Sequence, residues 1–411
     1  LSEKLALHHY KNMKLIMALP GGGFGGGQED QTSAPQTGVS AEKAVLSPST
    51  PDYSQTNVQV QGVDEGDIVK TDGQYMYIIK GNTVRIVQAT PSENMKELQK
   101  IELQDASFNP SEMYVTENRL VVIGQSYQEK SRTMVFIFDT TDKQNITQLR
   151  KLSFDGNQIS SRRINNHVYL VMNDYPPITI FQPAATEKSL APMYFDSKTS
   201  QNQPLVPCND IKIFPNFNEP NYLIVASVPL NGEEGEIKKQ VFLGAGNHIY
   251  SSTENLYVAA VRYENDEMQK YDIWFPPIID AKTAFYRFEL EDGKIQYKGT
   301  GKVSGQILNQ FSMDEDSATK TFRVAVTEGE FWGDKKPTNH LLVLNRDNLD
   351  EVIGKVANIG VSEKIKAVRF IGNRAYIVTF KNTDPFFVID LSSPSAPKVL
   401  GELKIPGYSD Y

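Results

Sequence analysis

The sequence predicts an all-β fold: a β-propeller with about seven four-stranded blades visible, the ring continuing beyond the end of the chain. Two observations lead there. A turn residue followed by a short β-rich burst recurs near Gly73, Asn118, Asn166, Asn221, Asn255, Thr321 and Asn373, at intervals of 34 to 66 residues. That is the length of one blade with variable loops. Between Tyr53 and Leu403, moreover, almost nothing repeats with the period of a helix.

Taken in chain order, residues 1–19 place Leu5, Tyr10, Met13, Ile16 and Met17 at amphipathic spacing, a short helical segment. From Pro20 to Thr56 the chain is rich in Gly, Ser, Thr, Gln and Pro. Such a stretch has too little apolar surface to offset its chain entropy, so a flexible linker is expected. The Gly21–Gly27 tract follows no strand and lacks the Lys-Ser/Thr of a phosphate-binding loop.

The propeller domain is expected over 57–411. Each burst has one grammar, as in Asn118, Arg119, Leu120, Val121, Val122 and Ile123: a residue that tolerates a tight hairpin, then β-branched and aromatic residues suited to a pleat. A second strand pair completes most units, for example Val135–Asp139 followed by Gln148–Leu152. Four short strands per repeat, in the same order each time, favour a radial array over two sandwiches in series. Long insertions at Tyr175–Pro207 and Asp272–Asp280 (with Trp274) are expected on one face of the array, where binding surfaces form.

Composition narrows the function classes. The chain of 411 residues carries a formal net charge of −8, which argues against nucleic acid as the main partner. A single cysteine, Cys208, rules out an intrachain disulfide and reads as a small packed residue. No apolar run approaches the ~20 residues of a membrane helix. Residue 1 is Leu, so a signal peptide is expected to have been lost upstream.

No catalytic set can be read. His8 and His9 precede the linker, and His167, His248 and His340 fall in separate repeats, where they read as strand packing. At Trp332 a sialidase-type Asp box fails, because Thr327 and Ala325 stand where Asp and Ser are needed. With only Trp274 and Trp332, the repeated tryptophans of quinone-dependent propellers are missing, and there is no Gly-x-Ser-x-Gly elbow. Asn145 heads a formal glycosylation sequon. Two acidic clusters remain. Asp64, Glu65 and Asp67 offer hard oxygen ligands that could hold Ca²⁺; Asp314, Glu315 and Asp316 are a weaker counterpart. Neither has the spacing of a calcium loop, and acidic turns that bond backbone amides are the simpler reading.

The stretch Thr56–Gly73, TNVQVQGVDEGDIVKTDG, closely resembles the opening signature of a family of secreted bacterial and archaeal β-propeller proteins, distantly similar to tryptophan–aspartate repeat propellers. Leu308–Asp314 and Ala375–Tyr411 match as well, so the resemblance runs from about Thr56 to the chain end. One departure is Gly66, where Ala is expected, with a slight effect. Some relatives carry a domain similar to copper amine oxidase accessory domains, which nothing here matches. The resemblance implies export, a propeller, and strands continuing past Tyr411. It supplies no activity and no site residues.

The function expected is therefore an exported interaction module of the cell envelope or extracellular space, binding protein or glycan and using no cofactor unless Ca²⁺. The alternative is a propeller enzyme, a hydrolase or lyase with acids around the central channel.

Overall fold

The computed structural model describes residues 58–103, 107–128, 130–175, 191–214, 221–231, 235–263, 281–329, 336–380 and 384–405. The segments expected as a short helix and a flexible linker lie outside them, as do Trp274 and Trp332. The described residues contain no α-helix. A short strand, β1 (Val63–Asp64), comes first. Blade one is β2 (Val69–Thr71), β3 (Tyr75–Lys80), β4 (Thr83–Gln88) and β5 (Lys96–Glu102). Blade two follows with β6 (Phe108–Val115), β7 (Arg119–Tyr127), β8 (Ser131–Asp139) and β9 (Thr147–Asp155).

Blade three starts with β10 (Asn157–Ile164) and β11 (His167–Asp174). It is interrupted by β12 (Met193–Asp196), β13 (Gln201–Pro204) and β14 (Lys212–Ile213), then completed by β15 (Tyr222–Pro229) and β16 (Lys238–Leu243). Blade four holds β17 (His248–Ser251), β18 (Asn255–Tyr263), β19 (Ala281–Glu291) and β20 (Lys294–Ser304). Blade five is β21 (Met313–Asp316), β22 (Thr321–Glu328), β23 (Thr338–Asn345) and β24 (Asn348–Ile359). Blade six is β25 (Lys364–Ile371), β26 (Arg374–Phe380), β27 (Asp384–Asp390) and β28 (Lys398–Ile405).

The described residues thus form six sheets, each with an antiparallel four-strand meander, and not the seven that the repeat starts suggest. Six starts mark the turn between a blade's first and second strands. Asn221 is different: it leads into β15, which pairs with β11 from Asp174↔Tyr222 to His167↔Pro229. The insertion between those strands makes the second half of blade three look like a new repeat. Its hairpin β12–β13 pairs with β9 and extends blade two at the outer rim, rather than sitting on a ring face.

What joins the blades is visible in single strands. Leu120 and Val122 of β7 pack into the cluster shared with blade one, while Val121 and Ile123 pack towards blade three. Tyr169 and Val171 of β11 face blade four, and Val168 and Leu170 face blade two. Successive residues of a strand point to opposite faces, so a strand buried on both faces loses the usual polar alternation. Five such clusters join blades one to two, two to three, three to four, four to five and five to six. Aromatic contacts reinforce them: Tyr257 of blade four stacks on Phe322 of blade five at 4.1 Å. On blade six one face is covered by Ala375, Ile377 and Ile389 packing on blade five. Residues of opposite parity there, Tyr376, Val378 and Val388, are only half-buried.

Phe322→Ala should cost about 3–5 kcal/mol of unfolding free energy, as expected for a buried aromatic. Tyr376→Ala, on the half-buried face, should cost about 1 kcal/mol. Urea titrations of both variants check this; equal losses would show that the two faces are packed alike.

Candidate functional site at the hub

Residues 58–67 run along the inner rim of the blades as a strap. Gln59 donates from Nε2 to the carbonyls of Gln310 and Met313 on blade five, both at 3.2 Å. Val60 packs against the clusters on both sides of blade four. Gly62, at φ +85°, turns the chain beside Thr253 of that blade. Val63 and Asp64 then pair antiparallel with Ile164 and Arg163 of β10, and Val63 is buried. Asp67 exchanges backbone hydrogen bonds with Met113 of β6 before the chain enters blade one.

The strap carries the first acidic cluster, and the structure gives each carboxylate separate surroundings. Asp64 Oδ1 is 2.8 Å from Lys70 Nζ and its Oδ2 3.1 Å from Arg163 Nε. Glu65 lies 3.5 Å from Arg162 Nη2, and its carbonyl accepts from Lys70. Asp67 accepts from the backbone of Ile68 and faces outward. A calcium cage needs oxygens converging on one point; here the countercharge comes from Lys70, Arg162 and Arg163. Among the described residues no three His, Cys, Asp or Glu side chains are grouped to hold a metal ion.

The second cluster is divided by strand geometry. Asp314 and Asp316 point to one face of β21 and grip Arg323 at 3.1 and 2.5 Å. Glu315 points the other way, into the junction of blades four and five. There it accepts from Ser252 Oγ at 3.1 Å, Asn255 Nδ2 at 3.0 Å and Arg346 Nη1 at 3.3 Å. Burial raises the Asp314 carboxyl above its ordinary range, against the pull of Arg323.

The three described histidines stay apart. His167, on blade three, is pushed down by burial and lies 4.0 Å from Asp292. His248 is likewise lowered by burial. His340 accepts from the backbone of Asn358 and stands 3.5 Å from Glu328. Cys208 packs against the cluster between blades two and three.

One hub residue escaped the sequence reading. Glu112 of β6 accepts hydrogen bonds from Gln158 and Ser161 of β10, and Ser161 is also bonded to the Tyr114 hydroxyl at 2.6 Å. Burial raises its carboxyl above the ordinary range, with Ser161, Gln158, Arg162 and Lys70 opposing in that order. Its signal in the sequence is a carboxylate two residues before a core tyrosine, hence on the same strand face. Gly66 of the strap presses on it: a Cβ at this position would stand 2.6 Å from Glu112 Cδ. The expectation that Ala in place of Gly66 would matter little is corrected on that ground.

Beside the strap, blades one and two enclose a cleft of about 1220 Å³. Its walls include Gln61, Asp64, Tyr75, Lys143, Glu117 and Arg163. Lys143 donates to the carbonyls of Thr140 and Glu117 and lies 5.7 Å from the Tyr75 ring centre. Tyr77 beneath it donates to Asp72 at 3.1 Å, and burial raises its phenol well above the usual range. A second recess, at the rim between blades two, three and four, is about 680 Å³. Arg150 and Asp196 pair there at 2.6 Å.

Radially joined four-stranded sheets around a strapped hub define a β-propeller. The chain belongs to the family described as the beta propeller domain, which matches residues 53–411. It is 29% identical to an uncharacterized protein of Methanocaldococcus jannaschii, over 87% of this chain and 63% of that one. An uncharacterized protein of Archaeoglobus fulgidus is 26% identical over 87% and 65%. The chain therefore spans somewhat less than two thirds of these relatives. Among solved structures it is similar to a mutant of Synechocystis apocarotenoid oxygenase. Sequence identity is 8%, coverage 82% and 71%, and the TM-score 0.36, a likeness too loose to bear on function.

Two changes test the hub. Gly66→Ala should destabilise by about 1–3 kcal/mol, because the methyl displaces Glu112 from its donors; a variant as stable as the parent would contradict the contact. For Glu112, a folded-state pKa above the unfolded value means stability present at low pH and lost as pH rises through the raised value. Glu112→Gln, always neutral, should gain in urea midpoint relative to the parent as pH climbs from about 4.5. Parallel pH profiles would refute this.

Proposed function

We propose that the protein is an exported propeller serving as an interaction module of the cell envelope or extracellular space, with protein or glycan as its ligand. The observation that carries this reading is the cleft beside the strap. It offers an aromatic ring (Tyr75), a cation (Lys143), carboxylates (Asp64, Glu117) and amides (Gln61, Gln74) around one polar recess. Such a mixture suits a polar oligomer, whose hydroxyls or amides need both donors and acceptors. Glu65, Asp314, Glu315 and Asp316 are held in internal ion pairs, which leaves recognition as the simpler use of the surface. The acidic net charge, −8, speaks against nucleic acid. Export is supported by the resemblance to secreted propellers. No helix among the described residues is long and apolar enough to cross a membrane.

An enzyme is the second reading, and one observation favours it. Burial raises the Glu112 carboxyl above its ordinary range beside the Ser161 hydroxyl, the direction a general acid needs. Screening with hydrolase and lyase substrates separates the two; turnover abolished by Glu112→Gln would move the conclusion to catalysis.

The binding reading predicts that peptide and glycan arrays yield a ligand whose affinity drops about tenfold or more in Tyr75→Ala and Lys143→Ala, as for removal of an aromatic or cationic anchor. A ligand that binds both variants as well as the parent would place recognition elsewhere on the ring.

A further inference from the structure

The strap is held by two kinds of contact that an unrelated peptide could reproduce. It adds a strand to the inner edge of blade three, pairing Val63 and Asp64 with Ile164 and Arg163 of β10. It also sets two consecutive acids on three cations from two blades: Lys70 of blade one, and Arg162 and Arg163 of blade three. Val63 fills an apolar notch between blades three and four. Gly66 passes where a side chain would strike Glu112. Edge-strand pairing gives sequence-independent affinity, and side-chain pockets on alternate positions give specificity. Here those determinants read, in order, as a β-branched residue, two acids and a glycine.

We propose that the inner edge of blade three, with Lys70, Arg162 and Arg163, is an acceptor site for an extended acidic peptide of a partner protein, and that residues 58–67 occupy it in cis as an autoinhibitory strap. The partner chemistry follows from the cations, since Lys70 and Arg163 meet the first carboxylate and Arg162 the second. The strap can part from β10 without breaking a ladder within any blade, though doing so uncovers Val63. Ile68, at its downstream end, is 54% exposed, and Gln61 and Gly62 are exposed midway. This site adjoins the cleft and shares Asp64, Lys70 and Arg163 with its walls, while Tyr75 and Lys143 of blades one and two line the part of the cleft away from Arg162.

The experiment uses the full chain and a fluorescein-labelled peptide of the sequence Val58–Ile68. In Asp64→Lys/Glu65→Lys protein the cis strap is weakened by charge reversal, and fluorescence anisotropy should show saturable peptide binding that falls with added salt. The parent should bind at least about tenfold more weakly, because its own strap competes at high effective concentration. Adding Arg163→Glu to the reversed background should abolish capture, as should Gly66→Trp in the peptide. Tyr75→Ala in that background should weaken capture less than Arg163→Glu does, because Tyr75 makes no contact with the strap's acids. Equal binding by parent and reversed protein would overturn the proposal. So would dimers of the reversed protein, seen by sedimentation, with no peptide capture. Should the reversed protein fail to fold, the milder Asp64→Asn and hydrogen exchange decide. The amides of Val63 and Asp64 must exchange faster than those of β11 and β15; protection as deep as the core would make the strap a permanent part of the fold and defeat the idea.

Discussion

Everything in this array depends on burying the faces of successive sheets against one another, both faces in blades two to five. A single four-stranded meander has two apolar faces and cannot be stable alone; placed between two others it covers both. Val121 and Leu120 of one strand therefore belong to different cores, although they are adjacent in the chain. The packing explains why Tyr257 and Phe322, from neighbouring blades, approach to 4.1 Å, and why so many tyrosines end up buried. It also explains the perturbed phenols, which burial raises throughout: Tyr297, for example, is pushed up to about 12.

Apolar faces alone leave the angular register of one blade on the next weakly defined, and polar contacts at the junctions supply it. Arg287 of blade four reaches the Arg346 carbonyl and Asp347 in blade five, both at 2.6 Å. Arg323 of blade five reaches the Gly372 carbonyl in blade six at 2.8 Å. The Gly293 amide of blade four donates to the Tyr169 hydroxyl of blade three at 3.1 Å. Arg150 links blade two to the Gly235 carbonyl at 2.8 Å while paired to Asp196. Buried pairs of this sort add little net stability, because desolvation offsets the Coulomb gain, yet a broken one is costly. Their placement between blades suits them to fixing orientation.

Much of the fold could be read from residues, because the turn-then-burst grammar is local. Asn118, Asn166 and Asn373 each sit at the first hairpin of a blade, where a tight turn constrains the side chain. Asn221 misled because an insertion displaced the second half of blade three along the chain, and local grammar cannot tell a third strand from a first. The site was less legible. Asp64, Glu65 and Asp67 stood out as a charge cluster, but their partners Arg162 and Arg163 lie about a hundred positions away, and only the ring brings them together. Glu112 was harder still. Its significance comes from Gln158, Ser161 and Gly66, three residues of two other segments, and none is unusual in its own stretch of sequence.

The strap also determines how tension would travel through the molecule. Gln59 is fastened to blade five, Val63 to blade three and Asp67 to blade two, and the chain then becomes the first strand of blade one. A pull applied upstream of Val58 would first load the Gln59 amide bonds, then the two-residue ladder, then the bridge to Met113, and only afterwards a sheet. The contacts would yield in sequence, the weakest foremost, so the hub would act as a mechanical fuse that gives way in steps while the blades behind it keep their shape.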